Sequence, residues 1–109
     1  MKNILIIGGS KGIGFEILKQ QLENNQVYNI SRNAPEISHP NLKHFGLNVL
    51  TDNLPEIENI DVLIYCPGSI NLNPIGSLSI DDFRNDFEIN VIGAVNTIQK
   101  YLPVLKKGT

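Results

Sequence analysis

The residues most suited to chemistry in this chain are those with the least side chain. Residues 7–14 read IGGSKGIG, with glycine at 8, 9, 12 and 14, directly after the apolar run Ile4-Leu5-Ile6-Ile7. Glycine loses more backbone freedom on folding than any other residue, so such a cluster calls for a special backbone conformation or a close approach. A Gly-rich turn between a buried strand and a helix meets both conditions. The turn tightens, and the first N–H groups and the positive dipole end of the helix face an anion such as phosphate. Two familiar forms of this device do not fit. Gly9 and Gly14 have the spacing of a Walker loop, but Phe15-Glu16 stand where Lys-Ser/Thr is required. In Gly-x-Gly-x-x-Gly only Gly12 and Gly14 fit, with Ile17 in the last place. The spacing present is Gly8, three residues, Gly12, one residue, Gly14. A glycine-rich helix start that binds nothing is the alternative reading of the motif alone.

Such a turn needs a strand before it and a helix after it. Ile4–Ile7 is continuously apolar, as a parallel strand covered on both faces must be. From Gly12 to Glu23, Ile13, Ile17 and the Leu18/Leu22 pair fall at four-residue spacings, which predicts an amphipathic helix closed by Asn24-Asn25. Further strands are expected over Gln26–Ser31, about Leu42–Asn48, and Ile60–Tyr65, the last ended by Pro67-Gly68. Ser79 and Asp82 make a capping box for a long helix reaching about Lys106, with Phe83, Phe87, Val91, Val95, Ile98, Leu102 and Leu105 recurring along it. Strand, helix, three strands and helix in that order predict an α/β fold: an open parallel sheet with flanking helices and right-handed crossovers. Arg32–Leu42 leaves little room for a full covering helix, so that connection is abbreviated.

With 109 residues the chain makes one domain, and 41% hydrophobic with 18% charged residues is an ordinary globular composition. A net charge of -2 gives no electrostatic reason to expect nucleic acid or an anionic membrane as partner. The single cysteine, Cys66, excludes an intramolecular disulfide, and no metal-ligand spacing occurs. His39 and His44 read as structural or solvent-facing. No window approaches a membrane span or the core of a signal peptide, so the expected location is cytoplasmic.

The glycine spacing resembles the Thr-Gly-x-x-x-Gly-Ile-Gly signature of the short-chain dehydrogenase/reductase family, with Ile7 in place of the threonine. The resemblance runs along the chain. LNVLTD is similar to the family's Asp-Val-Thr-Asp segment, with Asn48 followed by Val49 where an acid accepts from the adenine amino group; an amide oxygen can accept the same bond. IDVLIYCPGS resembles the strand ending in Asn-Asn-Ala-Gly, with Tyr65, Cys66, Pro67 and Gly68 at those positions and only the glycine matching. Cys66 there is a small buried filler, with no base near in sequence to make it a nucleophile. DFEINVIGAVNTIQKYLPVLKK is similar to the helix around Asn-x-x-Gly, and Asn90 aligns with the catalytic asparagine that orders a water in a proton relay. Periodicity alone leaves Asn90 either among apolar neighbours or facing solvent.

The resemblance implies a Rossmann-like sheet of order 3-2-1-4, with residues 1–109 as the N-terminal, cofactor-binding half of one domain, truncated before a fifth strand. It implies dinucleotide contacts from Gly8, Ser10, Lys11, Gly12, Ile13, Gly14, Ser31, Arg32, Asn48, Val49, Cys66, Pro67 and Gly68. An NAD-preferring site carries a carboxylate at the end of the second strand. This chain has Ser31-Arg32 there, with Lys11 as a second base, which favours NADP(H) over NAD(H). Arg32 and Lys11 as ordinary surface charges are the plain alternative. The family transfers hydride between nicotinamide and a small-molecule carbonyl or alcohol, using Ser and Tyr-x-x-x-Lys. Tyr28, Tyr65 and Tyr101 are followed four residues on by Arg32, Ser69 and Leu105, and Tyr28 lies on the second strand, so no such pair exists. Two functions follow: an NADP(H)-dependent oxidoreductase present as an inactive part, or a non-catalytic nucleotide-binding or regulatory module complete at this length. The uncovered helix face and sheet edge imply a homo-oligomer, or a chain that self-associates or unfolds easily.

Overall fold

The computed structural model describes residues 1–66 and 79–105. Four strands, β1 (Asn3–Ile7), β2 (Gln26–Ser31), β3 (Leu42–Gly46) and β4 (Val62–Tyr65), form one sheet in the order β3-β2-β1-β4. All three pairings are parallel, with Ile7 opposite Ile30 on one side and Tyr65 on the other. The expected fold and strand order are those observed.

The unbroken apolar run of β1 exists because both faces of this strand are covered. Ile4 and Ile6 pack with Val27 and with Leu18 and Leu22 of helix α1 (Gly12–Gln21). Leu5 and Ile7 turn the other way, into a cluster with Ile30, Ile57, Ile60 and Tyr101. In a strand successive side chains point to opposite faces, so one four-residue run serves two half-cores. Ile13, expected on the core face of α1, is instead 76% exposed. It lies at the second position of the helix, ahead of Leu18 and Leu22, which pack on β1 and β2.

The second helical stretch departs furthest from expectation. In place of one helix from Ser79 to about Lys106 there are four pieces: α2 (Ile80–Phe87), a π-helical turn (Glu88–Ile92), α3 (Gly93–Tyr101) and a 3-10 turn (Leu102–Val104). The predicted capping box is present: Ser79 Oγ accepts from Asp82 N at 3.1 Å, and Asp82 Oδ2 accepts from Ser79 N at 2.9 Å. Pro103 sits in the 3-10 turn that ends the helix, where its missing N–H costs little. The residues that α3 buries are Gly93, Thr97 and Tyr101, small or hydroxyl-bearing. The apolar series Phe87, Val91, Val95, Ile98 and Leu102 faces outward. Beyond α3 the chain returns to the sheet, and Leu105 makes a parallel bridge with Ile60.

Candidate functional site

The carboxyl ends of β1, β2 and β4 lie side by side, and the sequence places its chemistry just past each. Gly8 N extends the ladder by donating to Ile30 O at 2.8 Å, and Cys66 N donates to Ile7 O at 2.8 Å. Between β1 and α1 the turn requires its glycines individually. Gly8 and Gly12 have φ of 86° and 65°, a region that L side chains rarely adopt. At Gly14 a Cβ would lie 2.2 Å from Gly8 O, so the helix start folds back onto its own turn. At Gly9 a Cβ would meet Asn29 Oδ1 at 2.5 Å.

Helix α1 has no acid in its first turn, and its N-cap, Lys11, makes no side-chain cap bond. Its first N–H groups therefore lack the side-chain acceptor that usually satisfies them, which suits an anion. Lys11, Gly12 and Ile13 are exposed, and Ser10 is half-buried. The arrangement, a turn too tight for side chains and a helix start with no side-chain cap, suits an anion such as phosphate.

At the end of β2, Ser31 is half-buried and Arg32 exposed. Ser31 Oγ donates to Asn33 O at 2.6 Å and accepts from Asn29 Nδ2 at 2.9 Å. Past β3, Asn48 Oδ1 accepts from Leu50 N at 2.9 Å, and Asn48 N donates to Asp52 Oδ2 at 2.7 Å. The amide oxygen has two lone pairs, so this turn bond leaves acceptor capacity on Asn48. Val49 borders a depression of about 490 Å3 that also includes Asp52, Glu56, Asn96 and Lys100. The glycine turn is not part of that depression. Cys66 is half-buried, and burial pushes its thiol pKa up, the opposite of nucleophile activation. Pro67 and Gly68 lie outside the described residues.

Asn90 is exposed and sits in the middle of the π-helical turn. Tyr65, the last residue of β4, ties that turn to the sheet: its hydroxyl donates to Ile89 O at 2.6 Å. In a regular helix Ile89 O would accept from Gly93 N, but here Gly93 N donates to Glu88 O, one residue further back. Gly93 makes room for the ring, since a Cβ there would stand 2.1 Å from Tyr65 Oη. Burial raises the Tyr65 pKa above its ordinary 10.0, so the hydroxyl keeps its hydrogen and braces the turn through Ile89 O.

Three residues that shape the site had no assigned role in the sequence. Asn29, between Tyr28 and Ile30 on β2, is at 0% exposure, and a buried amide needs partners. Tyr65 stood out only as a departure from the family pattern, and Gly93 only as the glycine of Asn-x-x-Gly.

No protein-family model matches the chain. In sequence it is similar to the short chain dehydrogenase/reductase AacuD of Aspergillus aculeatus, 26% identical over 127 residues, covering 99% of this chain and 45% of that protein. In structure it is similar to a short chain dehydrogenase family protein of Francisella tularensis, with a TM-score of 0.85, 24% identity, and coverage of 100% of this chain and 48% of that one. Similar too are a Leptospira borgpetersenii short chain dehydrogenase with bound NAD+ (TM-score 0.79, 22% identity, 90% and 43% covered) and an NADPH-bound carbonyl reductase from chicken fatty liver (TM-score 0.79, 19% identity, 95% and 48% covered). The chain spans about half the length of each of these proteins.

Proposed function

We propose that this chain, which in sequence and in fold matches part of a short-chain dehydrogenase/reductase, forms the dinucleotide-binding half of an NADP(H)-dependent oxidoreductase. The observation that carries the reading is the glycine turn at the carboxyl end of β1, with positive φ at Gly8 and Gly12 and a Cβ-excluding contact at Gly14. Gly8 to Gly14 and the α1 start hold the pyrophosphate by backbone N–H groups. Asn48 accepts from the adenine amino group, with Val49 and Cys66 beside it. Ser31 and Arg32 hold the ribose 2′-phosphate by charge-assisted hydrogen bonds, and Lys11 adds a second positive charge.

The bound nicotinamide supplies hydride transfer to or from a small-molecule carbonyl or alcohol. Asn90 orders water on the proton path beside it, held there by the π-helical turn; such turns within helices occur frequently at functional sites. This chain contains no Tyr-x-x-x-Lys, so it is assigned binding and water-ordering and not turnover by itself. The outward stripe Phe87, Val91, Val95, Ile98 and Leu102 is taken by a second copy in a homo-oligomer, and the protein works in the cytoplasm. No helix among the described residues is long and apolar enough to cross a membrane.

Calorimetric titration of the chain with NADPH and NADH tests the reading. NADPH binds more tightly, and Arg32→Ala lowers NADPH affinity about tenfold or more while leaving NADH nearly unchanged. An unchanged affinity ratio in Arg32→Ala would remove the 2′-phosphate assignment.

A further inference from the structure

Asn29 is fully buried on β2, on the same face as Val27, which α1 covers. Its Oδ1 accepts from Gly9 N at 2.9 Å, inside the glycine turn. Because a backbone N–H can only donate, that bond fixes which end of the amide is oxygen. Nδ2 must then point the other way, where it meets Ser31 Oγ at 2.9 Å and His44 Nδ1 at 3.0 Å. An amide nitrogen has two hydrogens and no acceptor capacity. Both hydrogens are therefore committed, and His44 Nδ1 presents its lone pair to one of them.

The consequence falls on Ser31. A hydroxyl has one hydrogen and two lone pairs. Asn29 occupies a lone pair, so the hydrogen must be directed away from the core, and it is: Ser31 Oγ donates to Asn33 O at 2.6 Å, on the outside of β2. A phosphate oxygen carries lone pairs and no hydrogen, so it needs a donor. A ribose hydroxyl can give a hydrogen as readily as accept one.

We infer that Asn29 is a specificity-determining positioning residue, which turns the Ser31 hydroxyl outward as a donor and so selects a 2′-phosphorylated ribose over a plain 2′-hydroxyl. On binding, the hydrogen moves from Asn33 O to a phosphate oxygen while Oγ stays anchored on Asn29 Nδ2. Through Gly9 N the same amide sets the pyrophosphate turn and the ribose end in one register. The inference rests on the reading that Ser31 and Arg32 receive the 2′-phosphate.

The test is Asn29→Asp in the 109-residue chain, with affinities for NADPH and NADH measured by calorimetry. The carboxylate still accepts from Gly9 N. Its second oxygen now accepts from Ser31 Oγ–H and from a His44 ring that carries its hydrogen on Nδ1, so every buried group keeps a partner and the fold survives. Ser31 becomes an acceptor toward the ribose. The NADPH-to-NADH affinity ratio is expected to fall about tenfold or more, the loss of one charge-assisted bond. A change that lowers both affinities equally marks a scaffold residue and overturns the inference.

The new negative charge could act on the phosphate directly, and Asn29→Asp in a Ser31→Ala background separates this. Without the hydroxyl, the Asn29→Asp effect on the ratio is expected to vanish; if it persists undiminished, the inference is wrong. Ser31→Ala alone, at a half-buried site that tolerates a smaller side chain, is expected to lower NADPH affinity about tenfold and NADH affinity little. An equal loss for both cofactors overturns the inference even if Asn29→Asp does not fold. Wild-type chain that binds NADPH no better than NADH removes the premise, and the inference with it. Wild-type preference for NADPH with an unmoved ratio in Asn29→Asp removes the inference alone.

Discussion

The glycine turn and the π-helical turn are built by one device. In each, a side chain from a neighbouring strand engages a backbone polar group of an irregular segment, and a glycine leaves the space. Asn29 of β2 accepts from Gly9 N, and a Cβ on Gly9 would strike Asn29. Tyr65 of β4 donates to Ile89 O, and a Cβ on Gly93 would strike Tyr65. The difference lies in a second glycine of the first turn. The first turn is closed by backbone, since Gly14 lies against Gly8 O and cannot yield. The second is closed by the ends of side chains, Tyr65 Oη first and Leu50 Cδ2 behind it, which can. A cradle made of N–H groups needs a rigid shape, whereas a turn that presents one side chain needs only its local pitch changed.

Gly14→Ala therefore has the largest expected effect. Its Cβ meets backbone, so the cost is at or above the top of the ~1–3 kcal/mol range of overpacking. Urea unfolding reads it as a lower midpoint, and a loss below about 1 kcal/mol would mean that the two turns are equally pliable. Gly93→Ala comes next, at about 1–3 kcal/mol. The comparison makes a stricter demand here: in a Tyr65→Phe background the same substitution costs less, because the clashing hydroxyl is gone and Tyr65 Cζ is 3.3 Å from the added Cβ. Additive losses in the double variant would show that Tyr65 does not shape the π turn. At the glycine turn no single side-chain deletion relieves Gly14→Ala.

A smaller effect isolates the far end of α3. Tyr101 Oη donates to Pro55 O at 2.7 Å, and burial, with the Glu56 charge beside it, raises its pKa from 10.0 to about 12. The unfolded chain releases this proton near pH 10 and the folded chain near 12. The Tyr101 contribution is therefore complete below pH 10 and is lost as pH rises through 12. Wild-type stability is expected to fall more steeply between pH 10 and 12 than that of Tyr101→Phe, while the glycine-turn amides keep their shifts. Parallel pH curves for the two chains would contradict the assignment.

The contrast also explains what was legible in the sequence. Gly8, Gly12 and Gly14 announce their turn because local backbone conformation demands glycine, and the run Ile4–Ile7 announces its strand because both faces are covered. Ser79 and Asp82 likewise act within one turn of chain. The π turn could not be read this way. Its cause, Tyr65, is 24 residues from Ile89 in sequence, and the apolar series through Phe87, Val91 and Val95 keeps a helical spacing across it. The same spacing points to the wrong inward face, since Gly93, Thr97 and Tyr101 meet the sheet while the apolar series stays outside. Asn29 was hidden for a related reason. A buried amide takes its meaning from partners in the glycine turn and on β3, and the sequence around it names neither.

The central claim, that the turn from Gly8 to Gly14 receives a dinucleotide, is tested most directly by titrating the isotope-labelled chain with NADPH and following each backbone amide by NMR. Saturable shifts are expected to be largest at Gly12, Ile13 and Gly14, with Arg32 and Asn48 following at the same apparent affinity. The amides of Asn53, Leu54 and Glu56, which line the separate depression, should stay still. Saturation with an unmoved glycine turn, or with shifts confined to that depression, would contradict the account.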